Sequence, residues 1–346
     1  MKNKDFIDNF DAIVRESSRV LITAHISPDD DSISSVLGLY WYVGLKYPGV
    51  KSEILYSGEP TEKWSYFENF DKIRFVDDIS EYLHEFDCLI VADVSQYKRI
   101  TNNEQALKNF KGKRICIDHH KGEPDFFDIA CIDSSFTAAS ELLYSLFYEQ
   151  IEVIPTRICE VILLGLLGDT GGFTYVQPSQ SGVFDVAKRM VGEGGVSVQE
   201  LKARYMQYDY DVFRLMQILM SHFELIEVGE WGKFSISYLD RDECRRITES
   251  DFVVSTASTI FVDTYSKAIK GVNWGMVYYP KFSKHEYRAS FRSLPQGVNV
   301  RLIAQGMGIG GGHDLASGGS FPGAMNARSC MEQVKKWLAE NVPALF

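Results

Sequence analysis

Short apolar runs recur through the first part of the chain, and each stops at polar or charged residues. Val20–Ala24, Glu53–Tyr56, Ile73–Val76, Cys88–Ala92 and Arg114–Ile117 have this form, which is that of strands buried on both faces of a parallel sheet. Helical patterns alternate with them. One covers roughly Lys4 to Ser17, and a second places Ile33, Val36, Leu37, Tyr40 and Val43 at helical spacing. A third lies around Ala138–Glu149, and Pro155 suits the first position of a fourth over Thr156–Leu167. The alternation predicts an α/β fold in which an open parallel sheet is flanked by helices. Ligands of such sheets bind beyond the carboxyl ends of the strands.

The pattern changes after residue 195. Residues 196–226 read as a helical connector, with Leu201, Tyr205, Phe213, Met216, Leu219 and Met220 as candidate buried positions. Strand-like Lys233–Tyr238 and Trp274–Tyr279 follow, then the alternating Tyr287–Ser293. A two-residue period places Arg288, Ser290 and Arg292 on one face, suited to a phosphate, and Tyr287, Ala289 and Phe291 on the other. A glycine-rich loop runs from Gly306 to His313 and includes Gly310, Gly311 and Gly312; a helix around Ala327–Glu340 comes last. The expected organisation is a parallel-sheet domain over 1–195, the connector over 196–226, and a smaller α/β domain over 227–346.

At 346 residues, with 45% hydrophobic and 24% charged residues, the chain suits two globular domains. Its net charge of −11, without a lysine- or arginine-rich run, argues against a grip on long nucleic acid, which depends on phosphate neutralisation. It directs attention to small anionic substrates met at a local cationic centre. No apolar run approaches the ~20 residues of a membrane span, and the first residues lack a signal-peptide stretch. Six cysteines without paired spacing read as thiols of a reducing cytoplasm. Oligomeric state is not legible, and a homo-oligomer stays open.

The ends of the apolar runs carry the chemistry. Val20–Ala24 runs into His25, Asp29 and Asp31, and Cys88–Ala92 ends at Asp93. Arg114–Ile117 ends at Asp118, His119 and His120, and the run from Val161 to Gly168 ends at Asp169. Each has a bland alternative: Asp29 and Asp31 as helix caps, Asp93 as a turn residue, Asp169 as a loop carboxylate, the glycines as a flexible turn. Adjacent histidines at a strand end are harder to dismiss. Carboxylates and imidazoles without a thiolate suit Mn²⁺, with Mg²⁺ or Co²⁺ as alternatives.

His25-Ile-Ser-Pro-Asp-Asp-Asp-Ser-Ile-Ser-Ser, Val91-Ala-Asp-Val-Ser, Asp118-His-His and Gly168-Asp-Thr-Gly-Gly-Phe resemble, in order and spacing, the motifs of the DHH phosphoesterase family. Arg292-Ser293 and Gly310-Gly-Gly-His313-Asp-Leu-Ala316 resemble its associated C-terminal domain. Within that family, the pattern is similar to the nano-RNase and 3′-phosphoadenosine 5′-phosphate phosphatase subgroup. The resemblance implies one Mn²⁺ on His25, Asp29 and Asp93, and a second on Asp31, Asp93, His119 and Asp169. It implies that Asp118 orients His119, that His120 contacts the scissile phosphate, and that Arg292, His313 and the Gly310–Gly312 amides hold a substrate phosphate. Two residues depart from the pattern: Ser34 stands where the family often has Gly, and Asp30 adds a carboxylate between two ligands.

The implied activity is hydrolysis of very short RNA to nucleoside 5′-monophosphates, with removal of the 3′-phosphate of 3′-phosphoadenosine 5′-phosphate alongside it. The alternatives are a phosphodiesterase for cyclic di-AMP or its linear dinucleotide, and a nucleotide-binding module without catalysis. An inorganic pyrophosphatase shares the N-terminal motifs but not the Gly-Gly-Gly-His element.

Overall fold

A computed structural model describes residues 2–58, 63–205, 207–324 and 326–343. The chain divides into two compact units, Met1–Met206 and Gln207–Phe346. The first holds a six-stranded sheet of β1 (Arg19–Thr23), β2 (Lys51–Ser57), β3 (Ile73–Val76), β4 (Cys88–Ala92), β5 (Lys113–Asp118) and β6 (Ile129–Ile132). Its order is β3-β2-β1-β4-β5-β6, with every pairing parallel. β1 pairs with β2 on one side and β4 on the other, so chain order reverses between β1 and β4, where sheets of this kind open a crevice at their carboxyl ends. Strand β6 has no counterpart in the sequence reading, because Ile129-Ala-Cys-Ile132 is short and only partly buried.

Helix Asp30–Lys46 follows β1 and packs against helix Thr156–Asp169. The helix expected around Ala138–Glu149 is α-helical over Ala139–Leu143 and continues as a π-turn over Tyr144–Tyr148.

The segment 196–226 is divided between the units. Helix Val198–Tyr205 lies in the first; helix Tyr210–Ser221 lies in the second and packs on helix Asp251–Thr264. Leu201 and Leu219 are buried, but Phe213 and Met220 are 49% and 52% exposed, contrary to expectation. The helix buries Val212, Leu215 and Leu219, spaced i, i+3, i+7, and Phe213 points off that stripe. The side chain of Tyr205 lies outside the described residues.

The second unit carries β7 (Glu224–Glu227), β8 (Lys233–Tyr238), β9 (Trp274–Lys281), β10 (Glu286–Ser293), β11 (Gly310–Gly312) and β12 (Ala316–Phe321), in the order β11-β12-β10-β9-β8-β7. Only the β8–β9 pairing is parallel. Strand β10 alternates as its sequence predicts, burying Tyr287, Ala289 and Phe291. The triple glycine differs from the expected loop: it is an edge strand, with Gly310 opposite Gly319 and Gly311 opposite Gly318. Neither strand projects side chains there, so the backbones pair without steric conflict. Among the described residues no helix is long and apolar enough to cross a membrane, and the six cysteines form no disulfide.

Candidate metal centre

Three neighbouring strand ends and two helix ends bring the donors together. His25 stands two residues beyond β1, Asp93 directly follows β4, and Asp118-His119-His120 closes β5. Asp29 caps helix Asp30–Lys46: its Oδ1 accepts from the Ser32 backbone N–H at 2.9 Å, while its Oδ2 lies 3.2 Å from His25 Nε2. Capping and ligand geometry thus use different oxygens of one carboxylate. Asp93 has a left-handed backbone, φ 60, a conformation Asp tolerates better than most residues. Its Oδ2 lies 3.3 Å from His25 Nε2 and its Oδ1 3.5 Å from His119 Nε2, so it faces both imidazoles.

Asp169, last residue of helix Thr156–Asp169, approaches His119 Nε2 to 3.0 Å. Asp31 is fully buried and accepts backbone N–H bonds from Ala139 at 2.6 Å and Ser140 at 3.0 Å, at the start of the following helix. That support was not legible in sequence, since Asp31 and Ala139 are 108 positions apart. Gly165 lets the second helix close on the carboxylate: a Cβ there would stand 2.3 Å from Ser140 Oγ and 2.6 Å from Asp31 Oδ1.

Two donor sets contain the expected ligands, His25 with Asp29 and Asp93, and Asp31 with Asp93, His119 and Asp169; a third grouping joins Asp93 and His119 to His120, and in each the ligand atoms lie within 4.8 Å of one another. His25 Nε2, Asp93 Oδ1 and His119 Nε2 are buried without an aligned hydrogen bond, although carboxylates surround them. Burial opposes a charge on His25, but Asp29 and Asp93 override it and push its pKa up to about 10. His119 is likewise raised, against burial, by Asp169 and Asp93. Burial, then Asp169 and Asp93, drives Asp31 well above the usual carboxylate range, and burial with Asp93 takes Asp169 to about 6. So much negative charge around orphaned donors, with no thiolate among them, fits a divalent metal.

Asp118 departs from its expected role. Its Oδ1 accepts from the His120 backbone N–H at 3.0 Å and meets His120 Nδ1 at 2.7 Å, so it holds His120 rather than His119. The two imidazoles lie side by side, ring centroids 4.5 Å apart, and it is the His120 ring that Asp118 meets. His120 Nδ1 also lies 3.5 Å from Asp93 Oδ1. Tyr56, at the end of β2, escaped the sequence reading; its fully buried hydroxyl is raised by burial and by the charges of Asp29, Asp93 and Asp31.

In the second unit, Arg288, Ser290 and Arg292 line an open concavity of about 400 Å³ together with Gly310, Gly311 and Gly312. Arg288 Nε lies 3.5 Å from Glu286 Oε1. His313 is exposed in the turn after β11 and does not line that concavity.

Residues 19–166 match a family model described as DHH family, N-terminal domain. That match takes in most of the first unit. It is 24% identical over 332 residues to a protein of Streptococcus mutans named probable bifunctional oligoribonuclease and PAP phosphatase NrnA, covering 94% of this chain and 97% of that one. It is 25% identical over 305 residues to the bifunctional oligoribonuclease and PAP phosphatase NrnA of Bacillus subtilis, covering 87% and 89%. Among solved structures, an exopolyphosphatase-related protein of Bacteroides fragilis shares the fold at TM-score 0.82 and 22% identity, covering 98% of each chain.

The two departures from the DHH pattern have structural roles away from the donors. Ser34 Oγ donates to the Val161 carbonyl at 2.5 Å and ties the two long helices together. Asp30 accepts from Lys63 Nζ and Trp64 Nε1, both at 2.7 Å.

Proposed function

We propose that the chain is a phosphoesterase that takes two Mn²⁺ ions, hydrolyses very short oligoribonucleotides to nucleoside 5′-monophosphates, and removes the 3′-phosphate of 3′-phosphoadenosine 5′-phosphate. The observation that carries this reading is Asp93, whose Oδ2 faces His25 and whose Oδ1 faces His119, so that one carboxylate is common to two donor sets. In this reading His25, Asp29 and Asp93 hold one ion, and Asp31, Asp93, His119 and Asp169 the other. Four carboxylates balance two divalent charges. When bound, such a pair supplies Lewis acidity, lowering the pKa of the attacking water and offsetting charge on the phosphoryl oxygens.

The protein's own groups do the rest. Asp118 fixes the His120 ring through Nδ1, which sets the orientation in which the imidazole meets the scissile phosphate. Arg292 and Arg288 supply positive charge to a second phosphate, and Ser290 with the Gly310–Gly312 amides supplies neutral donors. The Gly-Gly-Gly-His resemblance would add His313 to these groups, from the turn beside the concavity. A chain with net charge −11 draws no general affinity from a long RNA backbone, so short substrates follow.

Purified protein with Mn²⁺ is tested against dinucleotides, a pentaribonucleotide, cyclic di-AMP, 3′-phosphoadenosine 5′-phosphate and pyrophosphate. Mn²⁺-dependent release of nucleoside 5′-monophosphates and of 3′-phosphate is the expected result. Preferred cleavage of cyclic di-AMP or pyrophosphate would replace this reading, and no turnover of any substrate would make the chain a binding module.

A further inference from the structure

Arg292 does not stand alone on its strand. Its Nε is ion-paired with Asp263 Oδ1, on helix Asp251–Thr264, and its Nη1 donates to the Phe291 carbonyl at 3.0 Å. Four residues further on, Lys267 is half-buried and donates from Nζ to the Asp263 carbonyl at 3.0 Å. Burial and then Arg292 hold the Lys267 pKa below its ordinary value, although Asp263 acts the other way.

The turn that carries these groups is built into the sheet. Gly275 is the cross-strand partner of Arg292 on β9, and directly opposed residues point to the same face. A Cβ at Gly275 would stand 2.0 Å from Ser235 Oγ and 2.7 Å from the Ser266 carbonyl. Ser235 Oγ donates to that carbonyl, and Ser266 Oγ donates to the Val262 carbonyl at 2.5 Å. The bare spot opposite Arg292 therefore seats the 263–267 turn, and two serines pin it there.

We propose that Asp263 is a positioning residue for phosphate recognition by Arg292, and that Lys267 keeps the Asp263–Arg292–Lys267 triad net positive. The inference rests on the reading of Arg292 as a ligand of a substrate phosphate. Asp263 and the Phe291 carbonyl engage Nε and Nη1, which fixes the guanidinium plane. One carboxylate stands beside two basic side chains, so pairing does not cancel attraction for an anion. An arginine ordered in this way loses little conformational freedom when a phosphate arrives.

The test uses the full chain with Mn²⁺ and the variants Asp263→Ala, Asp263→Asn, Lys267→Met, Arg292→Ala and the double variant Asp263→Ala/Arg292→Ala. KM and kcat are measured on a dinucleotide, and binding of adenosine 5′-monophosphate by calorimetry. Asp263→Ala is expected to weaken nucleotide binding by about 10- to 100-fold, the range for a hydrogen bond to a charged group. The loss should fall on KM, with manganese content unchanged, and Asp263→Asn, which retains an acceptor oxygen, should recover part of it. In the Arg292→Ala background, removal of Asp263 should cost nothing further, because the residue acts through that arginine. Lys267→Met should weaken binding and flatten its salt dependence.

Tighter binding in Asp263→Ala would show that Asp263 competes with the phosphate and would overturn the proposal. So would independent, multiplying losses in the double variant. A wild-type chain that binds the monophosphate but hydrolyses nothing would overturn the proposed function and leave the binding comparison intact.

Discussion

Asp118 meets His120 Nδ1 at 2.7 Å and accepts its backbone N–H at 3.0 Å, so these two residues form one unit beside the donor sets. Both imidazoles of the tandem remain near Asp93, but only His120 has Asp118 behind it. Asp118→Asn should therefore lower kcat by about 10- to 100-fold, the range for supporting groups at metal sites. Both metals should stay, because Asp118 is not in either donor set. A variant that loses manganese by elemental analysis would return Asp118 to the role of holding His119.

Asp93 offers a sharper test because Asn tolerates its left-handed backbone. Asp93→Asn keeps the turn and removes the charge shared between the two sets. Hydrolysis should fall to near background and both ions should be lost on dialysis. A variant that keeps one ion at full affinity would contradict a bridging carboxylate.

Metal binding should release protons. In the metal-free protein His25, raised to about 10, carries a proton at neutral pH, His119 is shifted in the same direction, and an imidazole must lose its proton before it can ligate. Manganese affinity should therefore rise with pH through the neutral range and level off only above the raised His25 value of about 10. Below about pH 6, protonation of Asp169 adds to the loss. Calorimetry in buffers of different ionisation enthalpy measures the protons directly, and a buffer-independent heat would count against this account.

Gly165→Ala should act on the site without replacing a donor. The added methyl meets Asp31 Oδ1 and Ser140 Oγ, inside contact distance of both. Overpacking of this kind costs about 1–3 kcal/mol, read as a lowered denaturation midpoint. It should also displace Asp31 from its backbone donors and weaken metal binding. Ser34→Ala, which removes only the bond to the Val161 carbonyl, should cost about 1 kcal/mol and leave metal affinity alone.

Substrate length follows from charge. A dinucleotide should be cleaved much faster than an RNA of about thirty residues, since phosphate neutralisation supplies most affinity for long strands. Equal rates would reveal a basic track that net charge conceals.

The sheet of the first unit was legible because burial on both faces leaves long apolar runs, and the donors were legible because they interrupt those runs at one end. The face of β10 was legible for a related reason: alternation of two is a local property of the strand. Strand β6 was not, since a partly buried edge strand has no sequence signature of comparable strength. The glycine strand β11 was misread as a loop because glycine reports freedom, and only its pairing with β12 turns that freedom into a strand.

What tertiary structure alone decided are contacts between distant positions. Asp31 acquires its two backbone donors from residues 108 and 109 positions away, and Arg292 acquires Asp263 from a helix 29 positions earlier. The choice of His120 over His119 as the partner of Asp118 depends on side-chain direction at the last turn of a strand. Sequence determined which groups reach the carboxyl edge of the sheet, because hydrophobic periodicity is set residue by residue. Packing determined which of those groups hold one another, because a hydrogen bond depends on distances of a few tenths of an ångström that only the folded chain defines.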